Sequence, residues 1–281
     1  MEDRYFDQEH NMFREAFRAF LAQEVLPYQE QWYEDGVVSR EVWLKAGKQG
    51  YLLPWAAEAY GGLGIEDFRY TQIEIEELMR IGETGFYLPL HSALVAPYIS
   101  NFGNEEQKQR LLPSCIRGEH VLALALTEPG AGSDLAGMKA RAVERDDYWL
   151  LNGAKTFISN GLLADTVVVA AKTDPDNPRA VGLFIVERGM HGFERGRQLK
   201  KMGMKSQDTA ELFFNDVKVP KTNVLGDVSK GFYYLMQGLA EERLIAAATN
   251  VASCQAAFDT TLEYIGQRTA FGKTLASFQN T

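Results

Sequence analysis

The sequence predicts an α+β multidomain protein. An N-terminal α-helical domain spans residues 1–120, an antiparallel and barrel-like β domain 121–228, and the start of a C-terminal α-helical domain, incomplete, 229–281. Three observations carry this reading. Apolar residues recur at helical spacing through the first segment. The second switches to short β-branched runs bounded by turn residues. The third is one uninterrupted helical pattern, with nothing after it to cover its apolar face.

Taken in order, "NMFREAFRAFLAQEVLPY" sets Phe13, Phe17, Phe20, Leu21 and Val25 on one helical stripe. "VSREVWLKAGKQG" begins with Ser39 as an N-cap and ends at Gly50. "TQIEIEELMRIG" and "EEQKQRLLPSCIRG" read as two more helices, each closed by glycine. In the middle segment "YWLLNGAKTFIS" carries Asn152-Gly153 between apolar runs, which predicts a hairpin there. "DTVVVAAKT", "VGLFIVERG" and "AELFFNDVKVP" read as further antiparallel strands of a small barrel or sandwich. From Ser229 the chain reads as a single long helix.

The 281 residues are 46% hydrophobic and 24% charged, a globular balance. A net charge of −9 leaves no basic footprint for nucleic acid. Two cysteines, Cys115 and Cys254, are too few for a disulfide framework and read as buried thiols in a reducing compartment. His10, His91, His120 and His191 show no metal-ligand spacing, so no metal is expected. No apolar run approaches the roughly eighteen residues of a membrane span. The acidic N-terminus is neither a signal nor a transit peptide, and a soluble intracellular protein is expected.

The glycine-rich stretch "LTEPGAGSDLAG", 126–137, resembles a phosphate cradle but fits neither standard template. The dinucleotide pattern G-x-G-x-x-G needs glycine where Leu135 stands. The nucleotide P-loop needs lysine where Met138 stands. What remains is either a surface turn or a ligand-facing loop, with Thr127 and Ser133 adding hydroxyls.

On the long helix, Phe232, Leu235, Leu239, Glu242 and Ala246 follow one face, which sets a carboxylate in an apolar stripe. Such a group is either a desolvated general base or half of a structural ion pair. Glu241 lies about 100° around the helix and reads as solvent-facing.

Several spaced motifs together resemble the acyl-CoA dehydrogenase family. They are "LTEPGAGSDLAG" followed by "LNGAKTFISNG", then "KMGMKSQDTAELFFNDVKVPKTNVLG", and finally "QRTAFGKTLASFQ". "VSREVWLKAGKQG" and "SKGFYYLMQGLAEERL" are most similar to its long-chain branch. The resemblance implies FAD as cofactor, an acyl-CoA thioester as substrate, and α,β-dehydrogenation to the trans-2-enoyl-CoA in fatty-acid β-oxidation. It further implies an electron-transfer flavoprotein as acceptor and a homotetramer or dimer. The location would be the cytoplasm of a bacterium or a mitochondrial matrix.

By motif matching, Leu124, Leu126 and Thr127 would line the flavin ring, and Gly132 with Ser133 would sit where flavin and substrate meet. Phe157, Ile158 and Ser159 would cover the other side of the ring. Phe157 stands where many members have Trp, and Leu124 where many have Tyr. Read without the family, Phe157 is a core strand residue. Arg268, Phe271 and Gln279 match positions that reach the dinucleotide of a neighbouring subunit, although Arg268 alone also reads as a helix-end cation. "EERL" fits the minority of the family that carries the base on this helix, with Glu242 as base and Arg243 as its substrate-side neighbour. Family members continue for several helices beyond "FQ", so a fragment or a shortened homologue is expected. An acyl-CoA oxidase and a non-catalytic acyl-CoA-binding homologue are the competing readings.

Overall fold

The computed structural model describes residues 5–177 and 179–279. Helices come first: α1 (Gln8–Glu24), α2 (Gln29–Asp35), α3 (Arg40–Lys48) and α4 (Phe68–Arg80). A π-helical turn (Leu90–Val95) then runs into α5 (Ala96–Phe102) and α6 (Glu105–Ile116). The α1 stripe buries Phe17, Phe20, Leu21 and Val25, with Phe13 packed against them. Asp7 caps α1 by accepting from the amides of Glu9 and His10. Ser39 precedes α3 in extended conformation but makes no side-chain cap bond. Asn104 and Gln107 form a reciprocal capping box on α6.

The sheet comprises β1 (Leu122–Ala125), β2 (Arg141–Glu144), β3 (Tyr148–Ser159), β4 (Thr166–Lys172), β5 (Val181–Glu187), β6 (Phe193–Gln198) and β7 (Thr209–Pro220). Its order is β1-β4-β2-β3-β7-β6, with β5 on β4. The pairing is mostly antiparallel, in keeping with the expected curled β unit. β1 departs from it and runs parallel to β4, Leu122 beside Thr166. A parallel pair needs a long crossover, and residues 126–165, with β2 and β3 inside them, supply it. Nor are all the strands short, since β3 and β7 have 12 residues each.

Asn152-Gly153 does not turn the chain. β3 runs straight through it as a bulge against β7. The Asn152 side chain donates to Asp216 Oδ1 at 2.9 Å and accepts from the Asp216 amide at 3.0 Å, pinning two strands. Gly153 takes φ 147°, and a Cβ there would lie 2.7 Å from Ala140. The dipeptide that favours a turn serves here as a bulge that lets two backbones approach.

Helices and sheet are tied by polar contacts that run from the buried His91 to the exposed Arg40. His91 accepts from the Leu122 amide at 3.1 Å and donates to the Cys115 carbonyl at 3.2 Å. Gln107 donates to the carbonyls of Thr222 and Val224. Arg40 reaches the Leu163 carbonyl and Asp165.

The last helix, α7 (Gly231–Gln267), is 37 residues long and packs on α4, α5 and the π-turn. It buries Leu235, Ile245 and Ala252. Val251, Phe258, Leu262 and Tyr264 remain exposed. Cys254 shares that uncovered half and is exposed, contrary to the expectation of two buried thiols, whereas Cys115 is buried. The hairpin of β8 (Thr269–Ala270) and β9 (Lys273–Thr274) follows.

Candidate active site

The π-turn arises where Pro97 interrupts the helical ladder. Proline has no N–H to donate, and the Ala96 amide bonds back five residues to His91. The widened turn and α5 face α7 across a cavity of about 300 Å³. Leu94, Tyr98 and Phe102 line one wall, and Gln237, Glu241 and Glu242 the other. Glu242 is half-buried, and the Tyr98 hydroxyl donates to its Oε1 at 3.1 Å. Among the described residues Glu242 forms no ion pair, and the nearest charge acting on it is Arg243. Burial raises its carboxyl above the ordinary glutamate value, opposed by the Tyr98 bond and the nearby Arg243 charge. Glu241 is exposed, as expected of a solvent-facing residue, and also borders the cavity, where partial burial raises its carboxyl. Arg243 itself is exposed.

On the sheet side, Leu124 of β1 and the following Leu126 and Thr127 are half-buried. The Thr127 carbonyl accepts from the Thr156 amide at 2.9 Å, joining the glycine-rich loop to β3. Under this junction lies an ion pair that the sequence did not signal. Lys155 Nζ donates at 2.9 Å to both Glu128 Oε1 and the Leu126 carbonyl. Glu128 in turn accepts from the amides of Lys139 and Ala140. Burial pulls the Lys155 ammonium down to about 8. The pair clamps both ends of the loop to β3.

Above it, Gly132 and Ser133 are exposed, and Gly132 has open space where a Cβ would stand. Phe157 sits at φ 57° on a second β3 bulge and is 66% exposed, so it is no core strand residue. Ile158 is 2% exposed and directs its side chain into the core, while Ser159 is half-buried. The surface therefore offers an exposed aromatic face, hydroxyls and an unobstructed glycine edge, a combination suited to a flat aromatic ligand.

The π-turn is the element shared by the two halves, since both β1 and α7 pack against it. Arg268, Phe271 and Gln279 stand apart. Arg268 ends α7, about 39 Å along the axis from Glu242 at 1.5 Å per residue. Phe271 is 96% exposed and Gln279 is exposed as well. Sequence reasoning missed Tyr98, Glu128 and Lys155. The last two lie inside the motifs that drew attention, but nothing in their spacing marks them as buried.

Family models described as the acyl-CoA dehydrogenase N-terminal, middle and C-terminal domains match residues 7–119, 123–217 and 229–281. The rat long-chain specific acyl-CoA dehydrogenase, a mitochondrial protein, is 48% identical over 98% of this chain. The chain spans 65% of that relative's length. A crystal structure of acyl-CoA dehydrogenase from Geobacillus kaustophilus superposes with a TM-score of 0.95 at 50% identity, covering 98% of this chain and 73% of that one. An acyl-CoA dehydrogenase from Bacillus anthracis, solved in complex with FAD, gives 0.90 at 32% identity over 99% of this chain and 48% of its own. Three successive domain matches in the family's order, with half the residues shared with a solved relative, give one conclusion: the chain belongs to the acyl-CoA dehydrogenase family.

Proposed function

We propose that this chain carries the proton-abstracting half of an FAD-dependent acyl-CoA dehydrogenase acting on long-chain acyl-CoA in β-oxidation. The observation that carries the proposal is Glu242 of α7, a half-buried carboxylate that faces a cavity and has no ion-pair partner among the described residues. The residues present fit FAD. An exposed Phe157 ring, the Thr127 and Ser133 hydroxyls and the open Gly132 edge suit a flat heterocycle. When bound, FAD supplies the two-electron acceptor that takes the β-hydrogen as hydride.

The chain's own residues then have distinct tasks. Glu242 accepts the α-proton, so one C–H bond breaks to it as the Cα–Cβ double bond forms. Burial keeps this carboxylate poorly solvated and hence more basic than in water. Leu124, Leu126, Thr127, Phe157 and Ser159 would hold the ring, with Ile158 contributing through its backbone. Gly132 and Ser133 would meet ring and thioester, and Arg243 would serve the substrate side. In an oligomer, Arg268, Phe271 and Gln279 reach the dinucleotide held by a second copy, and an electron-transfer flavoprotein takes the electrons.

Glu242→Gln tests the assignment. The expected protein keeps its flavin absorbance, and its reduction rate by a long-chain acyl-CoA falls by roughly 10²–10⁴-fold. Reduction at the parent rate would overturn the assignment. Ser133→Ala should weaken flavin or acyl-CoA binding while leaving the pH dependence of proton abstraction in place. Direct titration with each ligand reads that out.

A further inference from the structure

Glu242 does not stand alone against α5. The Tyr98 ring occupies the space on α7 one turn before it. A Cβ at Gly238 would overlap the Tyr98 hydroxyl and lie 2.8 Å from Cζ of the same ring. Only a glycine at this position lets the phenol lie across the helix and reach Oε1 of Glu242. The ring is itself held in place. Tyr98 is 3% exposed and lies 6.1 Å from Phe102, centroid to centroid. Phe102 stacks on Tyr234 at 3.9 Å and 17°. The Tyr234 hydroxyl accepts from the Asp227 amide at 3.1 Å, just ahead of α7. Three rings thus brace α5 against α7, and the brace ends on the carboxylate.

We propose that Tyr98 is a positioning residue for proton abstraction: its hydroxyl, admitted by Gly238, orients the Glu242 carboxylate and holds it in its ionised form. The inference rests on Glu242 being the base. Burial, and after it the Glu242 charge, push the Tyr98 phenol above its ordinary value, so it remains a donor throughout the working range. Without that donor the carboxylate would keep only Arg243 against the desolvation that raises it.

Of the charged and titratable groups on the elements packed against α7, only Tyr98 acts on Glu242, beside Arg243 of α7 itself. On α4, Glu76 and Glu77 pair with Arg14, and Arg80 also meets Glu77. Arg69 pairs with Asp67, while the Glu74 carboxyl responds to burial alone and Tyr70 to burial and the charges at the start of α1 and α4. His91 of the π-turn is spent on Cys115 and Leu122. β5 meets α7 at Gly231, and its one charged residue, Glu187, pairs with Arg110. Lys273 of β9 lies over the Phe278 ring. Glu241 borders the same cavity and adds like charge when ionised.

The test is Tyr98→Phe in the full chain, which keeps the ring and removes the donor. Losing a hydrogen bond to a charged group should move the acid limb of kcat/KM upward by about one pH unit. On the acid side of the parent's limb, turnover should drop by up to about tenfold with KM for a long-chain acyl-CoA unchanged. A merely structural role would alter stability and KM and leave the limb in place. Gly238→Ala, which expels the phenol while retaining it in the chain, should move the limb in the same direction.

A readout independent of flavin is the infrared titration of the protonated-carboxyl band in apoprotein, parent minus Glu242→Gln. The same difference taken in the Tyr98→Phe background should titrate about one unit higher. An unmoved infrared titration and an unmoved acid limb, with Glu242→Gln inactive, would overturn the role of Tyr98 alone. An active Glu242→Gln would instead remove the base on which it rests.

Discussion

At the scale of single residues, burial without a partner shows most plainly at Glu74. It is 1% exposed on α4, and its Oε1 meets no hydrogen-bond partner among the described residues. Burial pushes its carboxyl well above the ordinary value, so the folded protein keeps the proton to higher pH than the unfolded chain does. Stability from this group is therefore present below the ordinary carboxylate range and is lost as pH rises through the folded value. Glu74→Leu should add about 1–3 kcal/mol near pH 8 and less near pH 5. Urea melts of parent and variant at the two pH values measure it, and an equal difference at both would refute it. The same physics limits what sequence shows. Helical spacing put Glu242 on the inner face, but whether a carboxylate meets water, a phenol or nothing depends on another element. Tyr98 lies 144 residues away in the chain, and no local pattern joins the two.

Among elements, β3 shows where local grammar and tertiary context part. Its apolar runs marked strands and Asn152-Gly153 a turn between them, yet the runs form one strand with no turn. The Asn152–Asp216 bonds and the close approach to Ala140 make the dipeptide a bulge in a longer strand. Gly153→Val should destabilise by about 2–3 kcal/mol, combining a strained φ with a clash at Ala140. A denaturation midpoint within error of the parent would contradict this. Helices were easier to read, because α1, α4 and α6 each bury a stripe that repeats within one segment. β1 was harder. Its parallel partner β4 is separated from it by a crossover, and pairing across a crossover leaves no trace in the residues of either strand.

For the whole molecule, the seam between helices and sheet should govern acid stability. His91 is fully buried, bonded on both ring nitrogens, and burial lowers its pKa to about 4. The unfolded chain takes up this proton from about pH 6.5, the ordinary histidine value. The folded state should therefore lose stability as pH falls from the ordinary value towards about 4, by up to about 3 kcal/mol. His91→Gln, which can still donate and accept, should flatten that part of the curve. Chemical melts across the window would show it, and an unchanged slope would put the acid sensitivity elsewhere. The uncovered half of α7 acts at the same scale. With Val251, Phe258, Leu262 and Tyr264 exposed along one rod, these 281 residues expressed alone should self-associate, read as concentration-dependent mass in sedimentation.

The π-turn at Leu90–Val95 has a practical bearing on redesign. Its one side forms the cavity wall through Leu94, and its other side carries His91 into the seam. Enlarging or reshaping the cavity from that wall would disturb the register between helices and sheet. The α7 wall is independent of the seam, and Gln237 borders the cavity there while remaining exposed. An engineer seeking a roomier or differently shaped chamber should start at Gln237, where a volume change has solvent to yield into.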